Sequence, residues 1–182
     1  MIKNSAKWLS MALFNNKSML AFFEPLIQIV TKNFSFNKYR VKLIKIREEN
    51  PNVITLRFNV SRFWKGFKAG QFIELVVEQN GVKISRYFSV SSPPKSFKSK
   101  RIIELTIQKQ AHGRITPWLF DSLVVGQYLT ISSAKGEFQI TDPANPMLFI
   151  AAGSGITPFR SMLAELSNQS NIHLLYYARG SK

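Results

Sequence analysis

The sequence predicts a mainly β chain with an α/β end: N-terminal helices, a small antiparallel β-barrel with a capping helix, and then a single βαβ unit. Three observations predict it. Several short apolar stretches follow one another between residues 38 and 142, separated by turn residues and interrupted by one helical stretch. A nearly continuous apolar run at 146–154 then gives way to a Gly-rich turn, a helix and a second apolar strand. Ahead of both lies a basic segment, 1–37, whose apolar residues recur at helical spacing.

The chain of 182 residues is long enough for one domain and part of another, and its 45% hydrophobic content, with 13% aromatic, can fill a core. It has no cysteine, which excludes disulfides, Cys-ligated zinc and Cys-ligated iron–sulfur clusters from this polypeptide. Its two histidines, His112 and His173, are far apart in sequence and have no carboxylates nearby, so no metal site is assigned. The formal net charge of +15 implies an anionic partner: nucleic acid, a membrane surface, an acidic protein or a phosphate-rich ligand. A basic surface that only keeps the protein in solution is the plain alternative.

Residues 1–37 contain Lys3, Lys7, Lys17 and Lys32 against one acid, Glu24. In "SMLAFFEPLIQIV", Met19, Phe22, Phe23, Leu26 and Val30 can share one helical face, and Pro25 fits the start of a second helix. Asn15-Asn16-Lys17 and Glu24-Pro25 break the apolar runs before they reach the length of a membrane span. A signal peptide is not expected either, because no small-residue cleavage site follows "WLSMALF". The segment reads as a basic amphipathic pair of helices, lying in a membrane interface or packed on its own domain.

Within 38–142, "YRVKLIKIRE" sets Val41, Leu43, Ile44 and Ile46 against Arg40, Lys42, Lys45 and Arg47, with one fault where Leu43 and Ile44 adjoin. "NVITLRFNV" and "GQFIELVVEQNGVKISRYFSV" follow. The latter folds back at Asn80-Gly81, a pair that tolerates positive φ at both positions. "RIIELTIQ" and "GQYLTISS" supply further strands, "TPWLFDSL" (116–123) the capping helix, and "PPKSFKSKR" (93–101) a basic loop. Residues 146–182 form the βαβ unit, a partial Rossmann-like lobe. "PMLFIAAGS" is expected to be buried on both faces, and Pro158 falls in the first turn of the helix "TPFRSMLAELSN" before "IHLLYYA".

Three stretches carry candidate chemistry. Gly153 and Gly155 in "GSGITP" follow a strand and open a helix, where exposed amides can meet a ligand phosphate. In "HGRITPWL", Gly113 precedes a helix that Thr116 can cap, and the amides of Arg114, Ile115 and Thr116 could receive a pyrophosphate. In "RYFSVSS", Arg86 offers forked donors to phosphate, Tyr87 or Phe88 a surface for a flat ring, and Ser89 a hydroxyl for a ring heteroatom. Each also has a plain reading: a structural turn, an ordinary capped helix, an outward-facing strand arginine.

Taken in order, the motifs resemble the ferredoxin–NADP reductase superfamily of flavoproteins. Its R-x-Y-[ST] is met in part by Arg86-Tyr87-Phe88-Ser89, and its G-x-x-[ST]-x-x-[LM] by Gly113 to Leu119. Its G-x-F is met by Gly136-Glu137-Phe138 and its G-x-G-x-x-P by Gly153 to Pro158, with "GQF" at 70–72 a further barrel element. The resemblance covers roughly residues 40–182. It implies that the basic N-terminal segment (1–37) is followed by an FAD-binding barrel domain (38–142) and a partial NAD(P)-binding lobe (146–182). Arg86 would then pair with the FAD pyrophosphate. Ser89 would lie near the reactive flavin nitrogen. Gly113, Arg114, Ile115 and Thr116 would hold the pyrophosphate. Gly153, Gly155, Thr157 and Pro158 would border the nicotinamide nucleotide. No general base is assigned, since hydride reduction of a flavin needs none.

Phe88 stands where the family usually has Tyr, so a phenol hydrogen bond is missing, and Tyr87 would point to the other side of the strand. The N-terminal helices and "FEPLIQIV" are similar to bacterial reductases that serve membrane fatty-acyl desaturases and carry a ferredoxin domain after the nucleotide lobe. The expectation is therefore an NAD(P)H- and FAD-dependent oxidoreductase that passes electrons to an iron–sulfur or ferredoxin-type acceptor, with a membrane desaturase beyond it. It would be cytoplasmic, with peripheral contact at the inner membrane face. The chain would be truncated in the nucleotide lobe, without the [2Fe–2S] domain, and turn over poorly by itself if at all. The alternative class is a non-catalytic basic barrel module that binds nucleic acid or a membrane surface.

Overall fold

The computed structural model describes residues 38–166 and 171–178. The helices predicted within 1–37 lie outside the described residues. Strands β1 (Lys38–Asn50), β2 (Val53–Val60), β3 (Phe72–Gln79), β4 (Val82–Ser89), β5 (Ile102–Gln108) and β6 (Tyr128–Ser132) form one sheet in the order β4-β3-β6-β1-β2-β5. The pairs β1/β2, β2/β5, β3/β4 and β3/β6 are antiparallel. The sheet curls until its edges approach: Ser91 N, just past β4, donates to Glu104 O of β5 at 2.8 Å.

Alternation fills the inside of the curl. Ile54, Leu56, Phe58 and Val60 of β2 and Ile103, Leu105 and Ile107 of β5 are buried in one core, with Ile73, Leu75 and Val77 of β3. The fault in the β1 pattern is a bulge. Pairing with β2 runs from Leu43↔Phe58 to Lys45↔Arg57, which leaves Ile44 unpaired and 38% exposed, and Ile46 returns to the core side.

Helix α1 (Pro94–Lys100) replaces the loop expected at 93–101. Pro94 occupies its first turn, where a missing N–H costs nothing. Phe97 plugs into the core against Trp64, edge to face at 4.9 Å, and Arg101 in the left-handed conformation ends the helix. Trp64 is itself buried and donates from Nε1 to Ser132 O at 3.0 Å. Helix α2 (Thr116–Asp121) caps the barrel, with Ile115 and Leu119 in the core.

The α/β end consists of β7 (Met147–Ala152), a 3-10 turn (Gly153–Gly155), α3 (Ile156–Glu165) and β8 (Ile172–Tyr177), with β7 and β8 paired in parallel. Phe149 and Ala151 pack against Phe159, Met162 and Leu166, joined by Ala69 from the barrel. The expectation that β7 is buried on both faces is corrected. Leu148 and Ile150 are 62% and 59% exposed, because α3 covers one face and no described residue covers the other.

Gly70 joins barrel to α3. At φ +94° a Cβ there would stand 1.9 Å from Phe138 O and 2.4 Å from Met162 Cε. Gly70→Ala should cost about 1–3 kcal/mol from backbone conformation alone, with the clash in addition. Urea unfolding of the two proteins measures it.

Candidate functional site

The β3/β4 hairpin turns through Asn80 (φ +50°) and Gly81 (φ +76°), which fixes its register as Leu75↔Arg86, Glu74↔Tyr87, Ile73↔Phe88 and Phe72↔Ser89. Arg86 therefore shares a face with Ile84 and Phe88, both packed against the core, whereas Tyr87 turns outward and meets Phe72 edge to face at 5.4 Å. Arg86 stands on the inner parity of the strand yet is exposed, because a cleft opens beside it.

That cleft, of about 320 Å³, is lined by Arg86, Tyr87, Phe88 and Ser89 of β4, Thr106, Ile107 and Gln108 of β5, Gln110, Gly113, Arg114, Ile115 and Thr116, and Ser154 and Thr157 at the start of α3. Nine of the twelve residues singled out in the sequence thus come together. Gly153, Gly155 and Pro158 do not line it. A Cβ at either glycine would meet nothing within 4 Å, although Gly153, at φ +51°, lies in the left-handed region that favours glycine. Thr106, Ile107, Gln108, Gln110 and Ser154 were not singled out. For the β5 residues the missing information is the curl that brings that strand, at the opposite edge of the sheet, beside the end of β4; Ser154 lies within "GSGITP", where the glycines carry the motif and the lining side chain does not.

The turn before α2 is tightly built. Gly113 N donates to Gln110 O at 2.9 Å, and a Cβ on Gly113 would stand 2.7 Å from Thr116 Oγ1. Thr116 is the first helical residue and not the cap: Ile115 holds that position, with no side-chain cap. Its hydroxyl instead accepts from Gln110 N at 3.0 Å, and Gln79 Nε2 reaches Arg114 O at 3.2 Å. On the opposite wall Thr157 Oγ1 donates to Ser154 O at 2.6 Å.

Charge is uneven around the cleft. Among the described residues the ion pairs are Arg47–Glu49, Arg57–Glu104, Lys109–Asp121 and Arg160–Glu104. Arg86 joins none of them; its Nη1 donates to Ser85 O, at 2.7 Å. At the far end of β1 the Arg47 guanidinium holds the Glu49 carboxyl below the usual carboxylate range, helped by the Thr55 hydroxyl. Among the described residues no three His, Asp or Glu side chains are gathered to hold a metal.

The family model described as "Oxidoreductase FAD-binding domain" matches residues 40–140, more than half of the chain. The chain belongs to this family. Among curated relatives, it is 31% identical over 145 residues to a glycine betaine monooxygenase reductase subunit of Chromohalobacter salexigens, which covers 78% of this chain and 37% of that protein. It is 32% identical over 145 residues to the NADH oxidoreductase HCR of Escherichia coli, covering 78% and 44%. The chain therefore spans less than half the length of these relatives.

Among solved structures, the FAD/NAD-binding domain of a nitric oxide dioxygenase from Vibrio cholerae superposes with a TM-score of 0.72 at 20% identity, covering 80% of this chain and 65% of that one. A ferredoxin–NADP reductase from Neisseria gonorrhoeae with bound FAD and NADP gives 0.63 at 23%, covering 77% and 57%. The fold is that of the ferredoxin reductase-like FAD-binding barrel, as the motif order implied.

FAD and a nicotinamide nucleotide are the cofactors of this family, and the cleft fits the first: an arginine with no carboxylate partner among the described residues, a turn with no room for a side chain at Gly113, and aromatic rings in the same lining. Thr116→Val should leave the Gln110 N–H without its acceptor and cost about 1 kcal/mol, read as a lower thermal midpoint with unchanged circular dichroism.

Proposed function

We propose that this chain binds FAD in the β4/β5 cleft and works as the flavin portion of an NAD(P)H-dependent electron-transfer oxidoreductase. The observation that carries the reading is Arg86, a cation with no acidic partner among the described residues, facing a cleft shared with the Gly113 turn. When bound, FAD supplies the redox chemistry, taking a hydride from NAD(P)H and giving electrons singly to an iron–sulfur acceptor.

The chain's own residues bind and orient. Arg86 presents a fork of donors to the pyrophosphate, and water excluded around that contact strengthens it. Gly113 to Thr116 bring backbone close, since no side chain intervenes at the glycine. Phe88 or Tyr87 offers a ring face to the flavin, and Ser89 a hydroxyl donor near it. Thr157, with Gly153, Gly155 and Pro158, borders the nicotinamide nucleotide. In this reading residues 38–142 hold the flavin and 146–182 the start of the nucleotide lobe.

The acceptor is the finer part of the proposal. The relatives named as reductase components of oxygenase systems support an iron–sulfur or oxygenase partner. The basic amphipathic pattern of 1–37 supports a membrane desaturase beyond it, with the protein peripheral to the inner face.

Two experiments test this. Protein produced with riboflavin should show flavin absorption bands after desalting, and Arg86→Ala should weaken FAD binding by about tenfold or more, the worth of one charge-assisted contact. Well-folded protein without the bands, or an alanine variant with unchanged affinity, removes the site. For the membrane, the full chain should sediment with anionic vesicles and a chain starting at residue 38 should not; equal sedimentation removes the role of the N-terminal segment.

A further inference from the structure

We infer that Arg160, outside the cleft lining, is a positioning residue: with Glu104 and Arg57 it clamps α3 to the barrel and sets the spacing between the two walls of the cleft. Glu104 of β5 is 7% exposed, and both carboxylate oxygens are engaged. Oε1 accepts from Arg57 Nε at 2.8 Å and Nη2 at 2.6 Å, and Oε2 accepts from Arg160 Nη2 at 3.2 Å. Arg57 is the cross-strand neighbour of Glu104 and aims two donors at Oε1, so the sheet alone already gives the carboxylate a cationic partner on that oxygen. A second arginine is not needed to pair the charge.

What Arg160 adds is a connection. Its Nη1 donates to Ser91 Oγ at 3.2 Å and Thr106 Oγ1 at 3.1 Å, and the next residue, Ser161, fully buried, donates to Ser92 O at 2.7 Å. Two consecutive residues of α3 thus reach both edges of the curl, the segment after β4 and strand β5. The two walls of the cleft are involved directly. Thr106, which receives the Arg160 bond, lines one wall; Thr157, which lines the other, lies one turn before Arg160 on α3. A plain packing role would call for apolar contact here. Glu104 is buried but both arginine side chains keep 40% exposure, and ion pairs open to solvent return little net stability, so a polar arrangement with this many directed bonds serves geometry.

This rests on the function proposed above: if flavin sits against β4 and the nucleotide against α3, the clamp sets their approach, and an error of about 1 Å there can slow transfer on the order of a hundredfold. The test compares the full chain with Arg160→Met and Arg160→Lys. In Arg160→Met, amide hydrogen exchange over 156–165 should rise about tenfold or more while 53–60 and 102–108 keep their protection. FAD affinity should stay within about twofold, and reduction of the bound flavin by NADH or NADPH, whichever reduces the wild type faster, should slow about tenfold or more. Arg160→Lys keeps the charge but not the fork and should fall between the two; it carries the test if the methionine variant does not fold. Unchanged exchange over 156–165, or raised exchange with an unchanged reduction rate, overturns the inference. Wild-type protein that binds no FAD, or whose flavin neither nucleotide reduces, sinks the proposed function instead, and the exchange measurement then decides the clamp.

Discussion

The register of β4 against β3 is the constraint on which the cleft depends. The two-residue turn at Asn80-Gly81 fixes it, and every side chain on β4 follows by parity. With Arg86 opposite Leu75, the guanidinium and Phe88 share the core-side parity, and Tyr87, on the other parity at the cleft's edge, meets Phe72 edge to face. A slip of one residue would exchange those faces, turning the guanidinium to the side where Tyr87 now meets Phe72. The short hairpin, with both turn residues at positive φ, is therefore part of the site although neither touches it.

Much of this was legible in the sequence because it follows from local rules. Alternation marked the strands, Asn80-Gly81 marked the turn, and the order of four modest motifs marked the family. What was not legible depended on tertiary partners. The stretch 93–101 reads as a basic loop because Lys95, Lys98 and Lys100 dominate it; it is helical because Phe97 finds Trp64. Thr116 reads as a cap, but its hydroxyl is drawn to the Gln110 backbone, a contact set by the turn and not by helix chemistry. The exposed face of β7 could not be foreseen from an apolar run, because apolarity does not say which neighbour is present.

The outer face of β2 and β5 shows the same dependence. Thr55, Arg57, Glu104 and Thr106 occupy positions that alternation assigns to solvent, yet Thr55 and Glu104 are buried. They belong to a polar seam in which Thr55 bonds both Glu49 and Thr106, and Thr106 bonds Ser91. No described buried side-chain nitrogen or oxygen is left without a partner, which is the condition for such a seam to be tolerated.

The bulge at Ile44 has a consequence for shape. Without that residue Val41, Leu43 and Ile46 would still alternate inward and Lys42, Lys45 and Arg47 outward, so the inserted residue contributes nothing to which side chains meet the core. Its contribution is extra coiling of a long strand at the point where Leu43 also exchanges bonds with Gly126 and Gln127. Straightened there, the ribbon would keep its pairings and open like an unrolled scroll, carrying Ser91 away from Glu104 and widening the mouth from which Arg86 looks out.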